Sequence, residues 1–174
     1  KAVRFLDNEI DKTTYPTQEI EIATKKTRKI GLGVMGFHDM LLKLGIPYDS
    51  SEAMELAEKL MEQINWAAVR ESRKLAAEKG SFPEHDNSTW ELPMRNATLT
   101  AVAPTGTISI LAGCSAGIEP VFSWVYSRVQ GVKKEFMFVH PLFEAHFRAK
   151  LSEPDYSWLL KHIYTQGTLQ NVEN

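Results

Sequence analysis

Apolar positions recur every three or four residues through most of this chain and gather into short unbroken runs near its middle. Val3, Leu6 and Ile10 predict a helix over Ala2–Ile10. Pro16 suits the first turn of a second helix, Thr17 to about Arg28, whose last turn carries Lys25, Lys26 and Arg28. Ile30–Val34 is a short apolar run broken by glycines and reads as a strand. A helix from about Gly36 to Leu44 then stops at Gly45 and Pro47. The longest element is the clearest. Asp49-Ser50-Ser51-Glu52 has the form of a capping box, and Ala53, Leu56, Ala57, Leu60, Ile64, Ala67, Ala68 and Leu75 follow as one helical stripe. Gly80 closes that helix, with Pro83 just beyond it.

Residues 81–95 are rich in Pro, Asp, Asn and Ser and read as loop. An apolar strand, Ala97–Ala103, ends abruptly at Pro104. A short helix from Thr107 to about Ala112 follows, then a tight loop, Gly113–Pro120. Val121–Val129 and Glu135–Val139 carry strand-type residues, and Pro141–Lys150 and Tyr156–Tyr164 read as helices. Strands interleaved with helices predict an α/β fold. At 174 residues, with no internal repeat or low-complexity segment, a single domain spanning 1–174 is expected.

The turn after Ala103 carries the most chemistry. Pro104, Thr105, Gly106, Thr107, Ile108 and Ser109 place small hydroxyl residues and one glycine between a strand and a helix. Free amides at such a turn bind an anion without lysine or arginine, and the hydroxyls of Thr105, Thr107 and Ser109 suit phosphate oxygens. Serine and threonine are also ordinary helix caps, so a capped turn with nothing bound fits the local pattern as well.

Wider context favours the phosphate reading. Ala-Pro-Thr-Gly-Thr-Ile-Ser at 103–109 and Ala-Gly-Cys-Ser-Ala-Gly-Ile-Glu-Pro at 112–120 resemble the large catalytic subunit of ribonucleotide reductases. The Gly-Thr-Ile-Ser form is most similar to the adenosylcobalamin-dependent class. The likeness extends to Arg28-Lys29-Ile30-Gly31-Leu32-Gly33-Val34-Met35-Gly36-Phe37-His38-Asp39 and to Leu44-Gly45-Ile46-Pro47-Tyr48-Asp49, from about residue 2 to about residue 145. It implies a helix-rich part of the reductase α/β barrel, with strands around the phosphate loop. Members of that family replace the ribose 2′-hydroxyl with hydrogen, using a thiyl radical, a glutamate, an asparagine and a cysteine pair. On this resemblance Pro104, Thr105, Gly106, Thr107 and Ile108, with Ser109 next, hold the phosphates of a ribonucleotide substrate. Glu119 supports the pocket loops by accepting backbone hydrogen bonds. The family's catalytic residues lie upstream, so none is expected here, and Cys114 is expected to be a structural thiol. Adenosylcobalamin is implied for the full-length enzyme, with none bound to this chain alone. The remainder of a reductase polypeptide is the implied partner, and a homo-oligomer is compatible with it.

Composition narrows the alternatives. A net charge of −2 argues against nucleic acid or an anionic membrane as partner, and no apolar run reaches the roughly 20 residues of a membrane span. The single cysteine, Cys114, cannot form an internal disulfide and suits a reducing cytoplasm. Lys1 begins in mid-pattern, so a fragment of a longer polypeptide is expected. Gly31-Leu32-Gly33-Val34-Met35-Gly36 matches a dinucleotide fingerprint, which would suggest a nicotinamide oxidoreductase. No apolar strand precedes it, however, and close packing of a strand against a helix explains it better. A stand-alone phosphate- or nucleotide-binding module is the other alternative. His140, Glu144 and His146 do not share one helical face, and no zinc spacing exists, so no metal site is expected. Lys25, Lys26, Arg28 and Lys29 read as a solvated helix end. Trp66, Trp90, Trp124 and Trp158 read as scattered anchors.

Overall fold

In the computed structural model, residues 1–130, 134–170 and 172 are described. Four helices come first: α1 (Ala2–Lys12), α2 (Gln18–Thr27), α3 (Phe37–Leu44) and α4 (Ser51–Lys79). The short α5 (Ile108–Ala112) follows, then an antiparallel pair, β1 (Val125–Gln130) and β2 (Lys134–Val139), and finally α6 (Pro141–Arg148) and α7 (Glu153–Gln166). Val125 faces Val139 and Gln130 faces Lys134 across the pair.

α4 organises the first two-thirds of the chain. Its start is fixed by Ser50, whose hydroxyl accepts from the Ala53 amide at 3.1 Å, and its end by Gly80 at φ 86°. At 29 residues the helix is long enough to serve two apolar clusters. Its N-terminal half buries Ala53 with Phe37 and Leu41 of α3, and Leu56, Ala57 and Leu60 pack alongside. Its C-terminal half buries Ala68 and Leu75 with Val3 and Ile10 of α1, and with Ile30, Met94 and Leu99. Ala67, expected on the apolar stripe, is exposed. A third cluster joins Val125 to Phe143 of α6 and to Tyr156, Leu159 and Ile163 of α7.

Two segments expected as strands behave alike. Ile30–Leu32 and Ala97–Ala101 run parallel: the Ile30 amide donates to the Thr98 carbonyl (3.1 Å), Leu32 to Leu99 (2.8 Å), and Ala101 to Leu32 (3.1 Å). Only a single parallel bridge, Leu32 to Thr100, results. The expectation of an apolar strand over the whole of Ala97–Ala103 is therefore corrected. Leu99 is buried, but Ala101, Val102 and Ala103 are exposed. Three backbone hydrogen bonds between the two segments are too few for a regular ladder, and the second segment is uncovered beyond Thr100.

The basic cluster also departs from expectation. Lys25 and Lys26 pair with Glu21 and Glu84 at the surface, but Arg28 is 4% exposed. Its guanidinium donates to Asp7 Oδ1 at 2.9 Å and to Asp11 Oδ1 at 2.8 Å. Asp7, fully buried, also accepts from Asn96 Nδ2 (3.0 Å) and Arg95 Nε (3.3 Å). Burial pushes the Asp7 carboxyl up, but hydrogen bonding and charge from Arg28, with the charge of Arg95, outweigh it and hold the group below the ordinary carboxylate range. This knot ties α1, the end of α2 and the segment before Ala97 together, and so sets where the next turn begins.

Candidate functional site

Beyond Ala103 the chain reverses through Pro104 and Thr105, and Thr105 sits in the left-handed region at φ 49°. A threonine is strained there, so neighbouring contacts must hold it. Two do. Its carbonyl accepts from the Ser109 amide at 2.9 Å, and its hydroxyl oxygen accepts from the Gly117 amide at 2.7 Å. Gly117 is seated so closely that a Cβ on it would fall 2.7 Å from the Ala103 carbonyl oxygen. The Gly113–Pro120 loop thus braces the turn from behind.

The front of the turn is open. Pro104, Gly106, Thr107 and Ile108 are exposed. Thr107 caps α5 in position only: its backbone is helical and its hydroxyl makes no capping bond. Among the described residues, the amides of Gly106, Thr107 and Ile108 have no hydrogen-bond partner. Three adjacent unpaired donors at an exposed turn can receive an anion. Since α5 has only five residues, its dipole is small, and these amides with the Thr107 hydroxyl carry the attraction.

Ser109 does not face this opening. It is 4% exposed, its hydroxyl reaches the Gly106 carbonyl at 3.4 Å, and its own carbonyl accepts from Cys114 at 3.0 Å. Helical rotation from Thr107 turns position 109 inward, where it braces the turn. Glu119 is half-buried; among the described residues its carboxylate accepts no hydrogen bond, and its amide donates to Ala116. The backbone support expected of Glu119 comes instead from Asp39, whose Oδ2 accepts from the Ser115 amide at 3.0 Å.

The glycine fingerprint has a packing explanation. A Cβ on Gly33 would lie 2.5 Å from the Ala101 carbonyl oxygen, and one on Gly31 would lie 2.9 Å from Ala101 Cβ. Gly36 opens α3 against Cys114. These glycines let the two parallel segments and the Cys114 loop approach, as close packing requires.

Cys114 is half-buried, and burial, with the nearby Asp39 charge, pushes its thiol up, which makes it a poor nucleophile. His38 accepts from the Val121 amide through Nδ1 at 2.8 Å, and burial lowers its affinity for a proton. Among the described residues no group of three or more His, Cys, Asp or Glu side chains could hold a metal, and no helix is long and apolar enough to cross a membrane.

The model of the ribonucleotide reductase barrel domain matches residues 1–93 and 90–173. The chain belongs to the ribonucleotide reductase barrel-domain family. It is 48% identical, over 99% of its length, to a vitamin B12-dependent ribonucleoside-diphosphate reductase of Thermoplasma acidophilum, and covers 22% of that relative. To the enzyme of the same name from Mycobacterium tuberculosis it is 51% identical over 82% of its length, covering 21%. To a ribonucleoside-diphosphate reductase subunit alpha of Treponema pallidum it is 38% identical over 69%, covering 17%. The matched part of this chain thus spans about a fifth of the length of these relatives, and the helix-rich arrangement with its short parallel pairing is one part of an α/β barrel.

Proposed function

We propose that this chain is a section of the catalytic barrel of a ribonucleoside-diphosphate reductase, folding as one unit within that enzyme, and that residues 104–108 bind the substrate's phosphates. The observation that carries the reading is at Gly106. A Cβ there would meet open space, and its φ is not left-handed, so the fold itself does not call for glycine. What a side chain would block is the approach of a ligand to the unpaired amides of Gly106, Thr107 and Ile108. The Thr107 hydroxyl adds a fourth donor, Pro104 and the braced Thr105 fix the entry to the turn, and Ser109 fixes its exit.

In this role the turn works by positioning. Binding the non-reacting phosphates holds the ribose where the chemistry occurs, so remote binding free energy lowers the barrier at the reacting centre. The enzyme replaces the ribose 2′-hydroxyl with hydrogen through a thiyl radical, and the residues for that step lie outside this chain. Adenosylcobalamin belongs to this reading as the radical source of the complete enzyme. The one thiol here is half-buried against Gly36 in the loop that braces the turn, where a structural role accounts for it. The rest of the reductase polypeptide is the partner, a reducing cytoplasm suits the single cysteine, and neither nucleic acid nor membrane is required.

A kinetic series on the full-length enzyme tests the assignment. Gly106→Val raises the substrate KM strongly by obstructing the amides, and Thr107→Ala weakens substrate binding by about 1–2 kcal/mol through loss of one hydroxyl. If both variants match wild type, residues 104–108 do not touch the substrate.

A further inference from the structure

The Gly113–Pro120 loop that braces Thr105 is itself held from the other side by α3. Ser115 lies at that junction, 6% exposed. Its amide donates to Asp39 Oδ2 at 3.0 Å, its hydroxyl accepts from the Asp39 amide at 3.4 Å, and its carbonyl accepts from the Gly36 amide at 2.8 Å. Two residues further on, Gly117 donates to the Thr105 hydroxyl. A continuous path of short bonds therefore runs from the first turn of α3 to the turn at 104–108.

Asp39 is 8% exposed, and its other oxygen, Oδ1, lies 3.1 Å from Nε2 of His140, just before α6. That approach is off the hydrogen-bonding direction, and among the described residues neither Oδ1 nor the His140 ring nitrogens form an aligned hydrogen bond. The His140 and Trp124 rings meet edge to face with centroids 5.4 Å apart, and Trp124 in turn lies beside His38. A buried carboxylate with one oxygen so poorly matched costs stability. What the arrangement provides is a fixed place for Ser115. The charge also suits the start of α3.

We infer that Asp39, backed by His140, is a positioning residue for the phosphate turn: it fixes Ser115, and through Gly117 it sets the left-handed geometry of Thr105 that leaves the amides of Gly106, Thr107 and Ile108 facing outward. This rests on the reading of 104–108 as the phosphate site. Glu119 is in the same loop, but among the described residues its carboxylate accepts no hydrogen bond, whereas Asp39 reaches the loop across 76 positions of sequence.

Asp39→Ala, Asp39→Asn and Gly106→Val are compared in the full-length reductase, with KM and kcat for a ribonucleoside diphosphate and the melting temperature of each. The expected result for Asp39→Ala is a KM raised about tenfold with kcat little changed, as for a mispositioned binding group. Asp39→Asn restores the wild-type KM, because its amide oxygen still accepts from the Ser115 amide. If Asp39→Ala does not fold, Asp39→Glu serves instead: one added methylene displaces Ser115 and raises KM while the charge stays. A folded Asp39→Ala, or failing that a folded Asp39→Glu, with wild-type KM overturns the inference when Gly106→Val has raised KM. If Gly106→Val also leaves KM unchanged, the phosphate assignment falls first and takes this inference with it.

Discussion

The Gly117 amide donates to the Thr105 hydroxyl oxygen at 2.7 Å, joining two loops twelve residues apart at the point where the backbone is left-handed. Thr105→Val removes the acceptor and leaves the Gly117 amide, buried in this loop, without a partner. The expected cost is about 1–3 kcal/mol of unfolding free energy. Thr105→Ser keeps the oxygen and most of the stability. Denaturant unfolding of the two variants side by side checks this, and equal losses would remove the hydrogen bond as the brace.

Acid should loosen the other end of the molecule. Asp7 and Asp11 are held below the ordinary carboxylate range in the folded protein, Asp7 by Arg28 and Arg95 against the effect of its burial, Asp11 chiefly by its hydrogen bond from Arg28. A depressed folded pKa means stability that is complete above the unfolded value, near 3.9 for aspartate, and lost as pH falls through the folded one. Unfolding free energy measured from pH 6 down to pH 3 should therefore fall, and fall less steeply in Asp7→Asn. Identical slopes would show that the knot does not titrate on unfolding. His38 adds to the same trend at higher pH, since its folded pKa is also depressed and protonation would displace the Val121 amide from Nδ1.

Asp7→Ala should be far more damaging than its size suggests. It takes from the Arg28 guanidinium its buried carboxylate partner and leaves only the more exposed Asp11, a loss approaching that of breaking a buried pair, about 3–5 kcal/mol. Thermal unfolding of the variant, set against an exposed control such as Glu55→Ala, measures it. Similar melting temperatures for the two would make the knot dispensable.

How much of this was legible in the sequence depended on how local each feature is. α4 was readable because Ser50, the apolar stripe and Gly80 all lie within its own span. The turn at 104–108 was readable as a pattern of proline, glycine and hydroxyls, though the inward rotation of Ser109 was not, because it follows from where α5 begins. Arg28 looked like one more cation at a helix end; only Asp7 and Asp11, on another helix, bury it. Asp39 gives no local sign of its role, since its partner Ser115 lies 76 residues away. Ala97–Ala103 has strand composition, but a strand also needs a neighbour that completes a ladder along it, which composition does not supply.

The chain on its own should produce no deoxyribonucleotide from any ribonucleotide, even with adenosylcobalamin and a dithiol. Thiyl-radical reduction uses a radical cysteine and a redox pair, and this chain has one cysteine. Product formed faster by the purified 174-residue chain than by its Cys114→Ser variant would mean that Cys114 performs chemistry assigned here to residues outside the chain.

The central claim is that the exposed amides of Gly106, Thr107 and Ile108 receive the substrate's phosphates. A crystal structure of the full-length reductase with a bound ribonucleoside diphosphate tests it directly. The account predicts phosphate oxygens within about 2.7–3.2 Å of these amides and of the Thr107 hydroxyl, with Thr105 still left-handed beneath them. Phosphates held at another part of the barrel, with residues 104–108 touching only solvent, would contradict it.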